Sequence, residues 1–366
     1  MQSERAGRIL FVVPSLSNGG AERVVSVLAS NLAEKGFDTS CIVYYKAETE
    51  YLHSKKINIR YLAGQGEETY KVFSMKQKIN KLSRLIDDIN PEYIIPFLPQ
   101  VGFHVFLATV GKKYKIIQTV RNNPRTDPET KYERIIRNCL VSLSWRSFVQ
   151  NREQLEYFPK FLHKKLEIIP NPISNQFFNC EHVYHEKIKE IVAMGRLSEQ
   201  KNFQLIIETA KRIKLKYPDI HFSIFGDGPL KEKLQGYINK YHLEKVVTLQ
   251  GRTNNSVQAL NSADLFILSS NYEGMPNALL EAMAIGLPCI STNCPTGPAD
   301  IIDNNRNGKL VQVNNIDEMV SAIDEYVELG VGITNIGEEA KKFVKKNYSA
   351  EVITDVFLQK VLQIHN

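Results

Sequence analysis

The chain has 366 residues, 43% hydrophobic and 23% charged, an ordinary globular mixture long enough for two domains. Five cysteines without CxxC spacing argue against a disulfide frame or cysteine zinc site and suit a reducing, cytosolic compartment, and eight histidines without HExxH exclude that zinc-hydrolase motif. The net charge of +6 is uneven: residues 1–180 carry +9 and residues 181–366 carry −3, which fits an anionic partner or a chance asymmetry of solvated faces about equally. No apolar run reaches the roughly 18 residues that span a bilayer, and the opening segment reads as a strand rather than a signal peptide.

Arg8–Pro14 predicts a first strand, Ser17-Asn18-Gly19-Gly20 a break, and Ala21–Lys35 a helix with Val24, Val25, Leu28, Ala29 and Leu32 at helical spacing. Further strands are expected at Thr39–Tyr45, Tyr93–Phe97 and Lys115–Val120. In Lys71–Leu82 and just beyond, lysines alternate with Val72, Met75, Ile79, Leu82 and Ile86. A core-facing stripe with a wet lysine face is the preferred reading over a membrane-surface helix. In Glu167–Ile173, Pro170 and Pro172 bracket Asn171, so a stiff linker and a domain boundary are expected there. The pattern then restarts: strands at Glu190–Met194, His221–Phe225, Val246–Leu249, Leu265–Ser269 and Pro288–Thr292, a helix at Phe203–Lys216, and a last helix at Ala350–Ile364. This alternation predicts an α/β chain of two Rossmann-like, doubly wound domains facing a central cleft, divided at 1–170 and 171–349.

Three constellations carry chemistry. At Asn18-Gly19-Gly20-Ala21-Glu22-Arg23, two glycines at a helix start let backbone N–H groups approach a phosphate, although a tight turn needing positive φ would also explain them. The three-glycine GxGxxG fingerprint is missing, which removes the main support for a nicotinamide dehydrogenase. Gly195-Arg196-Leu197-Ser198-Glu199-Gln200-Lys201 follows a strand, so Arg196 and Lys201 can reach the crevice where open α/β sheets bind ligands; two solvated loop cations are the plainer alternative. In Glu273-Gly274-Met275-Pro276-Asn277, Pro276 suits a first helical turn, and Glu273 and Glu281 bracket the helix start. Carboxylates accept hydrogen bonds from vicinal hydroxyls, and one acidic helix turn does not explain two glutamates around a Gly-x-Pro loop.

Together with Gly226-Asp227-Gly228-Pro229 and Asn293-Cys294-Pro295-Thr296-Gly297-Pro298, these segments resemble family 4 of the retaining glycosyltransferases, glycosyl transferases group 1, over essentially the whole chain. The resemblance implies the GT-B fold, with the nucleotide-sugar held mainly by the second domain, the acceptor mainly by the first, and the 350–366 helix packing back on the first. It further implies that Arg196 and Lys201 hold the donor diphosphate, with Gly19 and Gly20 approaching it. Glu281 would bind ribose, Glu273 the transferred sugar, Gly274, Met275, Pro276 and Asn277 the sugar and distal phosphate, and Gly251 and Arg252 the base. Many members place a histidine after the strand near Lys115–Val120; here Arg121 and Asn122 stand there, and either is a candidate to replace it. The basic residues of Tyr132–Arg137 and Arg146–Arg152 are candidates to surround an acceptor phosphate. The implied reaction is metal-independent, in keeping with the missing DxD motif, and needs no cofactor beyond the donor, a UDP-sugar by family frequency. It transfers a hexose or N-acetylhexosamine to a glycan or lipid-linked saccharide in bacterial surface polysaccharide synthesis, in the cytoplasm or peripherally on the inner membrane face, without nucleic acid. A catalytically inactive nucleotide-sugar-binding subunit and a GT-B epimerase are the alternatives.

Overall fold

The computed structural model describes residues 7–17, 19–51 and 53–363; Asn18 of the expected turn and the Ile364 end of the expected last helix lie outside them. The chain divides into two compact units, the first running to Pro172 and including the residues from Ala350 onward, the second spanning Ile173–Ser349.

In the first unit, β1 (Ile9–Val13), β2 (Thr39–Val43), β3 (Asn58–Tyr61), β4 (Tyr93–Pro96), β5 (Lys115–Thr119), β6 (Arg146–Val149) and β7 (Leu166–Ile168) form a parallel sheet in the order 3-2-1-4-5-6-7. β1 is apolar throughout because both of its faces are covered. Phe11, paired with Cys41 and Ile95, lies in the cluster under the Gly20–Glu34 and Ala350–Phe357 helices, whereas Leu10 and Val12 pack towards the Met75–Ile89 and Pro99–Thr109 helices. The chain's last described helix thus completes the first unit's core: Ile353, Phe357, Leu358, Val361 and Leu362 are buried there, worth about 1.5–3 kcal/mol each. It is shorter than the periodicity predicts, ending at Phe357 and giving way to a π-helical turn over Leu358–Leu362.

Two other expectations need correction. Glu167 and Ile168 belong to β7, an edge strand, so the segment before Pro170 is part of the sheet rather than a linker. The expected stripe also begins later. Ser74 and Gln77 form a capping box that starts the helix at Met75, leaving Val72 outside it at 83% exposed and Met75 at 51%; Leu82 and Ile86 are the buried positions, with Ile79 partly covered.

In the second unit, β8 (Glu190–Met194), β9 (His221–Phe225), β10 (Val247–Gly251), β11 (Leu265–Leu268), β12 (Cys289–Thr292) and β13 (Lys309–Val311) form a parallel sheet in the order 10-9-8-11-12-13. Ile191, Ala193 and Ile267 share a cluster with the Phe203–Lys216 helix; Val192, Phe266 and Leu268 pack with the Asn277–Ile285 helix on the opposite face. β8 and β11 are the strands between which the order reverses. Such a switch point opens a crevice at the carboxyl ends of the strands, because the connections leave it in opposite directions.

Candidate functional site

The loops after β8 and β11 flank that switch point, and they carry Arg196, Lys201 and Glu273. Neutral side chains lace the two loops together. Asn271 Nδ2 donates to Glu199 O at 2.8 Å, Gln200 Nε2 to Tyr272 O at 3.1 Å, and Ser269 Oγ to Lys201 O at 2.7 Å. Asn202, left-handed at the start of the Phe203–Lys216 helix, donates to Asn271 Oδ1 and Asn314 Oδ1.

Within this frame Lys201 Nζ lies 2.5 Å from Glu273 Oε1, which also accepts from Ser270 Oγ at 2.5 Å. Glu273 is only 4% exposed, so the ammonium compensates a carboxylate whose burial unpaired would be costly. Two residues expected to touch different parts of a ligand are therefore partners. Arg196 is exposed on the same loop, and among the described residues its guanidinium has no ion-pair partner. Glu281 lies in the second turn of the Asn277–Ile285 helix and is 3% exposed.

The Gly274–Asn277 segment leads into that helix with Pro276 at the N-cap rather than inside the first turn, as expected from sequence. Met275 is buried in the core, which anchors the segment to the second unit. Thr296 and Gly297 hold the segment from the β12 side: Thr296 Oγ1 donates to Glu273 O, Glu273 N donates to Pro295 O at 3.1 Å, and a Cβ on Gly297 would press on Pro276 Cδ. Cys294 is close enough for Glu273 to add to burial in pushing its thiol up to about 12.

Glycines bring the turns after β8, β9 and β10 into backbone contact. Leu197 N donates to Asp227 O, Leu230 N to Leu197 O, and Gly226 N to Gly251 O. A Cβ on Gly226 would collide with Gly195 O, which is why the Gly-Asp-Gly-Pro turn has no side chain there. Arg252, exposed after β10, lies 3.7 Å from Asp227.

In the first unit the expected positive-φ turn is absent at Gly19, whose φ is −132°. A Cβ there would meet the Glu22 carboxylate, the movable end of a flexible side chain. Gly20 is the first residue of the Gly20–Glu34 helix. Arg121 and Asn122 follow β5. Asn122 Oδ1 accepts from Asn123 N, while Arg121 Nη2 donates to Asn171 Oδ1 and its guanidinium carbon lies 5.0 Å from the Phe97 ring centre and 5.6 Å from that of Phe148. The other basic residues expected around an acceptor phosphate have partners of their own, three of them buried or partly buried and Arg152 on the surface. Arg134 donates to Pro128 O and Glu129 O, and Arg137 to Pro124 O and Asp127 O; Arg146 pairs with Glu167 and Arg152 with Glu156. Among the described residues no helix is long and apolar enough to cross a membrane. Sequence reasoning missed Ser270; Asn202 was legible only as the residue after Lys201 in the Gly195–Asn202 segment, and Thr296 only as part of a Thr-Gly-Pro turn.

Residues 178–349 match the family described as glycosyl transferases group 1. An uncharacterised glycosyltransferase of Methanocaldococcus jannaschii is 30% identical over 63% of this chain and 62% of its own length, so the match spans less than two thirds of that relative. The Campylobacter jejuni alpha-1,4-N-acetyl-D-galactosaminyltransferase named for GalNAc-alpha-(1->4)-GalNAc-alpha-(1->3)-diNAcBac-PP-undecaprenol is 24% identical over 98% of this chain and 99% of its own. An Anabaena protein, HepE, crystallised with UDP and glucose, superposes with a TM-score of 0.81 at 14% identity over 98% of this chain and 100% of that one. The second unit is thus matched almost end to end by the family glycosyl transferases group 1, and the two parallel Rossmann-like sheets are those of the GT-B fold.

Proposed function

We propose that the chain is a retaining glycosyltransferase of family 4, moving a hexose or N-acetylhexosamine from a UDP-sugar to a glycan or lipid-linked saccharide in bacterial surface polysaccharide synthesis. The observation that carries this reading is the meeting of Lys201 and Glu273 across the switch point, beside the start of the Asn277–Ile285 helix. A diphosphate there meets Arg196, Lys201 and the N–H groups that open a helix, a cation and dipole set able to stabilise a leaving group without a metal. Glu273 accepts hydroxyl hydrogen bonds from the sugar, and Glu281 from the ribose. In transfer, the bond from the anomeric carbon to the diphosphate oxygen breaks, a bond to the acceptor oxygen forms on the same face, and the acceptor's proton passes to the released diphosphate. The first unit takes the acceptor, and the chain works in the cytoplasm at the inner membrane face. Supporting the donor assignment, the HepE structure was determined with UDP. Supporting the acceptor class, the Campylobacter relative is named for a lipid-linked saccharide.

The test is calorimetric titration of the full chain with UDP, GDP, ADP and NAD, repeated on Glu281→Gln. UDP binding that weakens at least tenfold in the variant supports the reading. Binding of NAD alone, or of no diphosphate, overturns it.

A further inference from the structure

Arg121 differs from Arg134, Arg137, Arg146 and Arg152, each of which has a carbonyl or carboxylate partner. It follows β5 at the carboxyl edge of the first sheet, the edge where open α/β sheets take ligands. Its Nη2 donates to Asn171 Oδ1, but Nε and Nη1 are buried with no hydrogen-bond partner among the described residues. The groups holding it are neutral: Asn171 Oδ1 also accepts from Gln150 Nε2 at 2.8 Å, and Gln150 Oε1 accepts from Gln154 Nε2 at 3.1 Å. Phe97 and Phe148, both fully buried, wall the guanidinium. Burial pushes its pKa down to about 9, no carboxylate among the described residues offsets this, and it remains protonated at neutral pH. A buried, uncompensated charge opposes folding, and one held by amides and aromatic rings is poised for an anion that arrives with a ligand. Poor hydration between two rings also strengthens its attraction for that anion.

We infer that Arg121 is the anchor of an anion subsite in the first unit that takes a phosphoryl group carried by the acceptor. The inference rests on the transferase reading above and narrows its acceptor to phosphate- or diphosphate-linked saccharides. A guanidinium suits phosphate because its planar donors match the oxygens, whereas a neutral glycan would leave the charge uncompensated.

The experiment titrates inorganic pyrophosphate into the full chain saturated with UDP, comparing wild type with Arg121→Met and Arg121→Lys. Methionine keeps the stacking volume and removes the charge. The expected result is pyrophosphate binding to wild type that falls at least tenfold in Arg121→Met, with a ligand-free Tm equal to or above wild type. A purely structural arginine would instead lower Tm and leave the binding alone. Arg121→Lys, which retains the charge, decides the matter if the methionine variant does not fold: binding weakened severalfold supports the subsite, and unchanged binding overturns it. N-acetylglucosamine 1-phosphate should displace pyrophosphate and methyl N-acetylglucosaminide should not. Equal displacement by both, displacement by neither, or no pyrophosphate binding by wild type overturns the inference. Failure of UDP to bind defeats the donor reading separately, and the pyrophosphate titration is then read in Lys201→Ala, whose second-unit cation is gone.

Discussion

Removing Lys201 should destabilise the second unit far more than removing a surface lysine. Its ammonium lies 2.5 Å from Glu273 Oε1, and the two side chains are 17% and 5% exposed, so the pair is largely shielded from solvent. In Lys201→Met the carboxylate keeps the Ser270 hydroxyl and loses its compensating charge. Breaking a buried pair from one side costs about 3–5 kcal/mol, against roughly 0–1 kcal/mol for an exposed pair. For a unit of this size that is a fall of roughly 6–20 °C in Tm. Adding Glu273→Gln removes the stranded charge, so the double variant should recover most of the loss while remaining unable to bind UDP. Urea titrations can separate the units, because the chain's single tryptophan, Trp145, lies in the first, against Tyr93. Far-UV circular dichroism should show the second-unit transition moving while Trp145 fluorescence holds its midpoint. If Lys201→Met stays within about 0.5 kcal/mol of wild type, or the double variant is no more stable than the single, the pair is not a buried electrostatic unit and the reasoning fails.

Gly226→Ala should cost about 1–3 kcal/mol and weaken UDP binding, because the new Cβ meets Gly195 O at a φ of +148° and must displace the turn that leads to Arg196 and Lys201; unchanged UDP affinity by calorimetry would separate that turn from the donor site. Glu22 tests a pH dependence. Burial, partly opposed by a backbone hydrogen bond, raises its carboxyl above the ordinary 4.5, so the folded chain favours the protonated form. The stability this confers is complete below pH 4.5 and is lost as pH rises through the raised value. Glu22→Gln should therefore gain on wild type as pH rises above 4.5, with the gap levelling off beyond the raised pKa. Trp145-monitored unfolding between pH 4 and 8 measures the gap, and a gap independent of pH would count against it.

The central strands were readable because two-sided burial writes long apolar runs, as in Arg8–Pro14 and Leu265–Ser269. The strands that sequence missed are short and carry or border charge: Asn58–Tyr61 alternates exposed and partly buried residues at one edge, Leu166–Ile168 forms the other, Arg146–Val149 opens on an arginine although it lies inside the sheet, and Lys309–Val311 has three residues. Periodicity has too little to count in such segments, and their place is set by neighbours. The Phe203–Lys216 helix kept its expected bounds, with Asn202 as the capping residue.

The site was legible as residue types and illegible as geometry. Lys201 and Glu273 are 72 positions apart, and nothing in either loop announces that strand order reverses between β8 and β11 and brings them within bonding distance. Arg121 shows the same limit from the other side. By sequence it stood out only through its place after a strand, where the resemblance expects a histidine, and nothing marked its charge as less engaged than that of Arg134, Arg137, Arg146 or Arg152. Whether an arginine is spent or poised depends on its partners. Arg152 finds a carboxylate one helical turn away, whereas Arg121 is enclosed by Phe97, Phe148 and Asn171, each delivered by a separate crossover of the first sheet. Local pairing can be read from a chain. The absence of a compensating charge within a folded neighbourhood cannot, because it is a property of every segment that packs there, and for that reason a buried guanidinium without a carboxylate is evidence about a ligand that net charge could not supply.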